Sequence, residues 1–288
     1  MTEVVGDFLG MKTIKASTIT EAVRELAVTA AYDLEPDILE ALIAARDRET
    51  SPLAQSVLEL LLMNADIASR EKIPACQDTG ICTIFISLGQ DVRIEGDLIK
   101  AVQEGVRIGY EKGYLRKSVC DVITRKNTGT NVPAVVHVEV EAGDHCLIRF
   151  LPKGCGSENM SGLKMLPPSA GIPGALEYIV ETVVNAGPNP CPPLVVGVGI
   201  GGTFEKAAYM AKKSLLRPVG LASDREDVAR LEKDVLDRIN REGRGVHGLG
   251  GCNTALAVHI DTFPTHIASL PVAVNIQCHS HRHKEILL

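Results

Sequence analysis

Residues 74–80 read Pro-Ala-Cys-Gln-Asp-Thr-Gly, placing a thiol, a carboxamide and a carboxylate side by side between a helix-ending proline and a Thr-Gly turn. A thiolate can ligate a metal or attack a carbon, and a neighbouring carboxyl group can give or take a proton. Thiol catalysis would need a paired base, and neither a G-x-S-x-G elbow nor a papain-like or caspase-like signature is present. Metal ligation would draw on the eight cysteines at 76, 82, 120, 146, 155, 191, 252 and 278, none of which forms the C-x2-C runs of ferredoxins. Context divides them. Cys76 follows Pro74 and precedes a turn, Cys191 is locked between Pro190 and Pro192-Pro193, and Cys278 ends an apolar run, so proline or a strand fixes each backbone. Cys82, Cys120 and Cys146 fall inside apolar or periodic segments and read as core.

Two further motifs carry weaker signals. Cys278 to His283 reads CHSHRH, which invites a zinc site; yet tetrahedral zinc normally takes ligands from two separated clusters, and alternate residues of an extended segment face opposite ways. A solvated, histidine-rich strand end is the simpler reading. Gly197, Gly199 and Gly202 match G-x-G-x-x-G after a strand and before a helix, without the acidic residue that a dinucleotide fold places on its next strand. Close strand-on-helix packing explains those glycines as well.

The elements that must hold these residues follow from periodicity. Residues 18–69 are helical in pattern, with a Thr18/Glu21 capping box and a second start at Ser51-Pro52. A short apolar stretch spans 82–88, a helix runs from Asp97 to about Gly113, and Ala134 to Leu151 reads as a β-hairpin turning at Ala142-Gly143-Asp144. Further on come a helix at 175–185, the strand LVVGVGIGG, helices at 203–216 and 224–241, and β-rich runs at 254–260 and 272–278. The fold class is α/β: mixed β-sheets flanked by helices, in a single domain over 1–288, with a helical N-terminal portion to about residue 73 and a core from about 74.

Bulk composition narrows the function classes. With 288 residues and 45% hydrophobic content the chain builds a sizeable core. A net charge of −6, 3% aromatic residues and no Trp argue against a nucleic-acid partner. No apolar run is long enough to span a membrane and the N-terminus lacks signal-peptide character, so the expectation is a cytoplasmic protein with reduced thiols.

The stretches PACQDTG, KNTGTNVP, KGCGSENMS, NPCPPLVVGVGIGGT and PTHIASLPVAVNIQC, spanning residues 74–278 in that order, resemble the α subunit of the two-subunit iron–sulfur class I fumarate hydratase and L-tartrate dehydratase family. The resemblance implies a [4Fe–4S] cluster on Cys76, Cys191 and Cys278, with Cys155 and Cys252 excluded. Three thiolates leave one iron open as a Lewis acid. It implies that Asp78 and His266 hydrogen-bond the departing hydroxyl, with Asp78 as general acid. Gln77 and Arg116 are then contacts to substrate carboxylates, joined by backbone N–H groups at Gly154 and Gly156. Single-chain members carry a second domain with the base and further cationic residues, whereas this sequence stops at Leu288. The implied form is therefore a hydro-lyase α subunit whose site a separate β subunit completes, in an α₂β₂ assembly. The implied reaction is fumarate hydration to L-malate, with L-tartrate dehydration as the alternative. A non-catalytic cluster- or zinc-binding module is the reading from another class.

Overall fold

The computed structural model describes residues 11–288. Strand β1 (Lys12–Lys15) leads into helices α1 (Ala16–Tyr32), α2 (Pro36–Arg48) and α3 (Pro52–Glu71), then strands β2 (Ile81–Gly89) and β3 (Val92–Glu95) and helix α4 (Leu98–Lys112). Next come β4 (Val135–Glu141), β5 (Cys146–Lys153), the single turn α5 (Cys155–Glu158), β6 (Gly162–Leu166) and α6 (Gly171–Ala186). The chain closes with β7 (Leu194–Gly201), α7 (Phe204–Lys213), α8 (Glu226–Glu242), β8 (Ala255–Phe263), β9 (Leu270–Gln277) and β10 (Lys284–Leu287). The class is α/β with mixed sheets; β1 opens the described chain, and α1, α2 and α3 occupy the stretch over 18–69 in which the periodicity predicts helix. No helix among the described residues is long and apolar enough to cross a membrane.

The chain divides into two compact units, one formed by Met1–Ala31, Thr79–Pro152 and His283–Leu288, the other by Tyr32–Asp78 and Lys153–Arg282. The first holds a four-stranded sheet in the order β10-β5-β2-β4. The hairpin expected over Ala134 to Leu151 does not form: β4 and β5 exist, but β2 lies between them and pairs parallel to β4, Thr83 opposite Val135. Burial explains the insertion. β2 is covered on both faces for most of its length, whereas β4 is largely exposed and suits an edge. A period of two identifies a strand but does not name its neighbour. In the same unit Asn131 is fully buried; its Oδ1 accepts from the N–H groups of Ser118 (2.7 Å) and Val119 (3.2 Å), and its Nδ2 donates to Gly80 O (3.1 Å). That side chain gives the KNTGTNVP stretch a structural use, since it fixes the loop that carries Arg116.

The second unit is built on the sheet β6-β9-β7-β8. β7 is buried along its whole length, and its residues alternate in purpose. Leu194, Val196, Val198 and Ile200 pack with Ile179 and Val183 of α6 and Val235 and Ile239 of α8, each such side chain contributing about 1.5–3 kcal/mol by burial. Gly197 and Gly199 face α7 so closely that an added Cβ would lie 2.1 Å from Ala211 O or 2.2 Å from Ala207 O. The glycine pattern is thus used for strand-on-helix contact, which a nucleotide fingerprint does not require at both positions.

Candidate functional site

Pairing between β7 and β9 assembles the thiols. The two strands run antiparallel with Val195 opposite Gln277, so the residues just before β7 and just after β9 emerge at the same end of the sheet. Cys191 and Cys278 occupy those positions. The His279 N–H donates to Cys191 O at 3.3 Å and joins the two segments directly. Cys191 itself takes a left-handed conformation, φ 59°, unusual for a residue with a side chain and frequent at functional positions. The third thiol arrives from α3. Ser51 caps the helix through its Oγ, Lys72 ends it in a left-handed turn at φ 54°, and Asn64 Nδ2 donates to Ala75 O at 2.8 Å, fixing the loop that presents Cys76.

The thiols sense one another. Burial pushes the Cys191 pKa up, and the charges of Cys278 and Cys76 add to the rise. Burial raises Cys278 as well, with Arg282 pulling the other way. Cys155 is different: after burial, the groups that raise it are Asp78 and Glu158. Cys252 is exposed, its N–H donating at 3.1 Å to the carboxylate of Glu49, the residue that caps the end of α2. Cys191 is thus coupled to Cys278 and Cys76, whereas Cys155 responds to other neighbours and Cys252 hydrogen-bonds Glu49. Cys82 and Cys146 are buried as core residues, whereas Cys120 is only half-buried. Among the described residues no group of three or more His, Cys, Asp or Glu side chains is placed to hold a single metal ion.

Asp78 stands beside this triad in the chain and is held from two sides. Its Oδ2 accepts the Cys155 N–H at 2.9 Å, and its carbonyl accepts from Arg282 Nη2 at 2.8 Å. Gly154 lies against this carboxyl group, where a Cβ would be in ordinary contact at 3.4 Å from Asp78 Oδ2. The backbone N–H of the KGCGS loop thus grips the carboxyl group, at Cys155, between the two glycines singled out from the sequence. Beneath the loop Lys153 is fully buried; it donates to Ser157 Oγ at 2.7 Å and lies 3.3 Å from Glu158, which also pairs with Lys212. Burial brings the Lys153 pKa down to about 8 against the opposing pull of Glu158.

Other expected site residues are placed less uniformly. Gln77 is exposed and accepts from the Cys76 thiol at 3.4 Å. Gly156 is exposed in α5. Arg116 belongs to the first unit, exposed on its loop, with its carbonyl accepting from Thr79 Oγ1 at 2.8 Å. His266 is not brought to the thiols of its own chain. It lies in the turn between β8 and β9, lining a shallow groove of about 310 Å³ with Phe204, Lys206 and Phe263, at the end of the sheet opposite Cys278. β7 and β9 are eight residues long, so at about 3.3 Å per residue the separation exceeds roughly 20 Å.

The closing segment also departs from expectation. Ser280, His281 and Arg282 are buried, not a solvated strand end, and His281 Nε2 contacts Leu215 O at 2.7 Å. Arg282 and Lys153 escape sequence reasoning because a cation carries no pattern that marks it as buried. Chemically, the donor set fits an iron–sulfur cluster: three thiols on fixed backbones, with a buried guanidinium alongside whose Nε and Nη1 find no acceptor among the described residues.

A profile of the family described as fumarate hydratase (Fumerase) matches residues 20–287. The chain is 41% identical over 271 residues to a putative L(+)-tartrate dehydratase subunit alpha of Methanocaldococcus jannaschii, covering 92% of this chain and 95% of that one. It is 31% identical to the L(+)-tartrate dehydratase subunit alpha of Escherichia coli O157:H7, covering 94% of this chain and 90% of that one. If the three thiols act as one site, Cys76→Ser, Cys191→Ser and Cys278→Ser each abolish retention of iron and acid-labile sulfide after anaerobic reconstitution, whereas Cys155→Ser and Cys252→Ser keep both. Equal loss from Cys155→Ser would show that the triad is wrongly drawn.

Proposed function

Because the chain belongs to the fumarate hydratase (Fumerase) family, a family of hydro-lyases, we propose that it is the α subunit of an iron–sulfur enzyme that interconverts fumarate and L-malate. The observation that carries this reading is the convergence of Cys76, Cys191 and Cys278 beside an anchored Asp78. A [4Fe–4S] cluster on those thiols would supply an open, Lewis-acidic iron for the substrate's hydroxyl and a carboxylate oxygen. Asp78 is the general acid: the Cys155 N–H fixes Oδ2, which orients the carboxyl plane, and Oδ1 delivers the proton to the departing hydroxyl as the C–O bond breaks. Gln77, adjacent to Cys76, and the exposed Arg116 are the carboxylate contacts, Arg116 through its planar, forked donors.

The base that removes the proton from carbon lies on a β subunit. Support for a partner comes from the relatives, each of which is named as a subunit alpha. A second substrate reading, L-tartrate to oxaloacetate, is favoured by the same names. In an α₂β₂ assembly, His266 reaches a substrate only if it is lent by the second α copy, given its distance from the thiols of its own chain.

These assignments are testable in the complex co-purified with its β subunit under anaerobic conditions. Asp78→Asn retains iron and sulfide while kcat for malate dehydration falls about 10²–10⁴-fold, the usual span for losing a general acid; near-normal kcat would reduce Asp78 to a loop-former. Co-assembly of Asp78→Asn and His266→Ala chains recovers activity that neither variant has alone, because a mixed pair rebuilds one intact site. No recovery would remove His266 from the site. Parallel assays with fumarate, L-malate and L-tartrate decide the substrate.

A further inference from the structure

Arg282 heads the fully buried side chains, with 1% of its surface exposed. Its Nη2 donates to Asp78 O at 2.8 Å, yet Nε and Nη1 have no hydrogen-bond acceptor. No carboxylate pairs with it among the described residues; Glu158, in the same unit, is already taken up by Lys153 and Lys212. A guanidinium does not shed its proton, and a buried cation with unpaired donors is costly, so Nε and Nη1 are placed for an acceptor other than the Asp78 carbonyl that Nη2 already holds. The surroundings name the direction. Arg282 follows Cys278 by four residues and reaches the carbonyl of Asp78, two residues after Cys76, while a Cβ on Gly154 would stand 3.9 Å from Nη2 and 3.4 Å from Asp78 Oδ2.

We infer that Arg282 is a positioning residue for the cluster: its guanidinium supplies counter-charge and N–H donors to the anionic thiolate-bound cluster on one side, while Nη2 holds the Asp78 carbonyl on the other. One side chain thereby sets the acid and the cluster in register. Every cluster of this kind brings net negative charge from its thiolates, and outer donors of this sort govern how tightly it is held and how easily it is reduced. The inference rests on the cluster reading proposed above.

The test compares wild type, Arg282→Met and Arg282→Lys, each reconstituted anaerobically as the full chain. Arg282→Met loses iron to a chelator roughly 10–100-fold faster than wild type, the range typical of lost outer-shell partners. It also has a lower cluster reduction potential, because a positive charge has been removed. Arg282→Lys, which keeps the charge but not the forked donors, falls between them on retention and stays near wild type in potential. Free of iron, Arg282→Met unfolds at the same or a higher temperature than iron-free wild type, because an unpaired buried charge has gone. A merely structural arginine would give the reverse, a lower unfolding temperature without iron and an unchanged potential. Unaltered iron loss in both variants overturns the inference alone, whereas a wild-type chain that takes up no iron and sulfide overturns the cluster reading with it.

Discussion

The antiparallel pairing of β7 with β9 is the constraint on which the candidate site depends. With Val195 opposite Gln277, two segments separated by most of the C-terminal half of the chain leave the sheet at one end, and both carry cysteine at that exit. A slip of one residue would turn every buried valine and isoleucine of β9 to the other face. The register is therefore protected by the whole hydrophobic layer under α6 and α8. Thiol placement is inherited from core packing instead of being built by the loops alone. Gly197 and Gly199 belong to the same device, since they let α7 close on the opposite face of β7.

Electrostatics completes what the sheet begins. Burial first, and then the neighbouring Cys278 and Cys76, hold the Cys191 thiol against ionisation, so a metal bound there would have to displace protons. Buried cations offset that resistance. Lys153 shares the Glu158 carboxylate with Lys212, whereas Arg282 forms no ion pair among the described residues and keeps two donors unpaired. The same guanidinium touches Asp78 O, and Asp78 in turn holds the Cys155 N–H, so an acid, a glycine-rich loop and a post-strand segment form one connected chain of hydrogen bonds. A change at any of the three is expected to be felt by the others.

Much of this was legible in the sequence, and the failures share a cause. The helical stretch over 18–69, α4 and the buried β7 follow from local pattern: the Ser51-Pro52 start, the apolar spacing after Asp97 and an unbroken apolar strand; the exclusion of Cys155 and Cys252 rests on the family resemblance. Local pattern does not encode partners. The alternating valines of β4 suggested a hairpin with β5, yet β2 took the central place because it is apolar on both faces. The histidines of CHSHRH suggested solvent, yet the segment folds inward with Arg282 beside Asp78. His266 lies 12 positions before Cys278 in sequence, and a nearly full-length extended strand between them carries that short interval across the sheet. Proximity in sequence is opposite to proximity in space for an extended segment.

The central claim is that three thiols of this chain hold a cluster with one iron left for substrate. Mössbauer spectroscopy of the iron-enriched α/β complex, recorded with and without L-malate, addresses it directly. The account predicts that substrate shifts a single iron subsite and leaves the remaining cysteine-ligated subsites unchanged. A spectrum in which substrate alters none of the iron, or in which every iron is equivalently ligated, would contradict it.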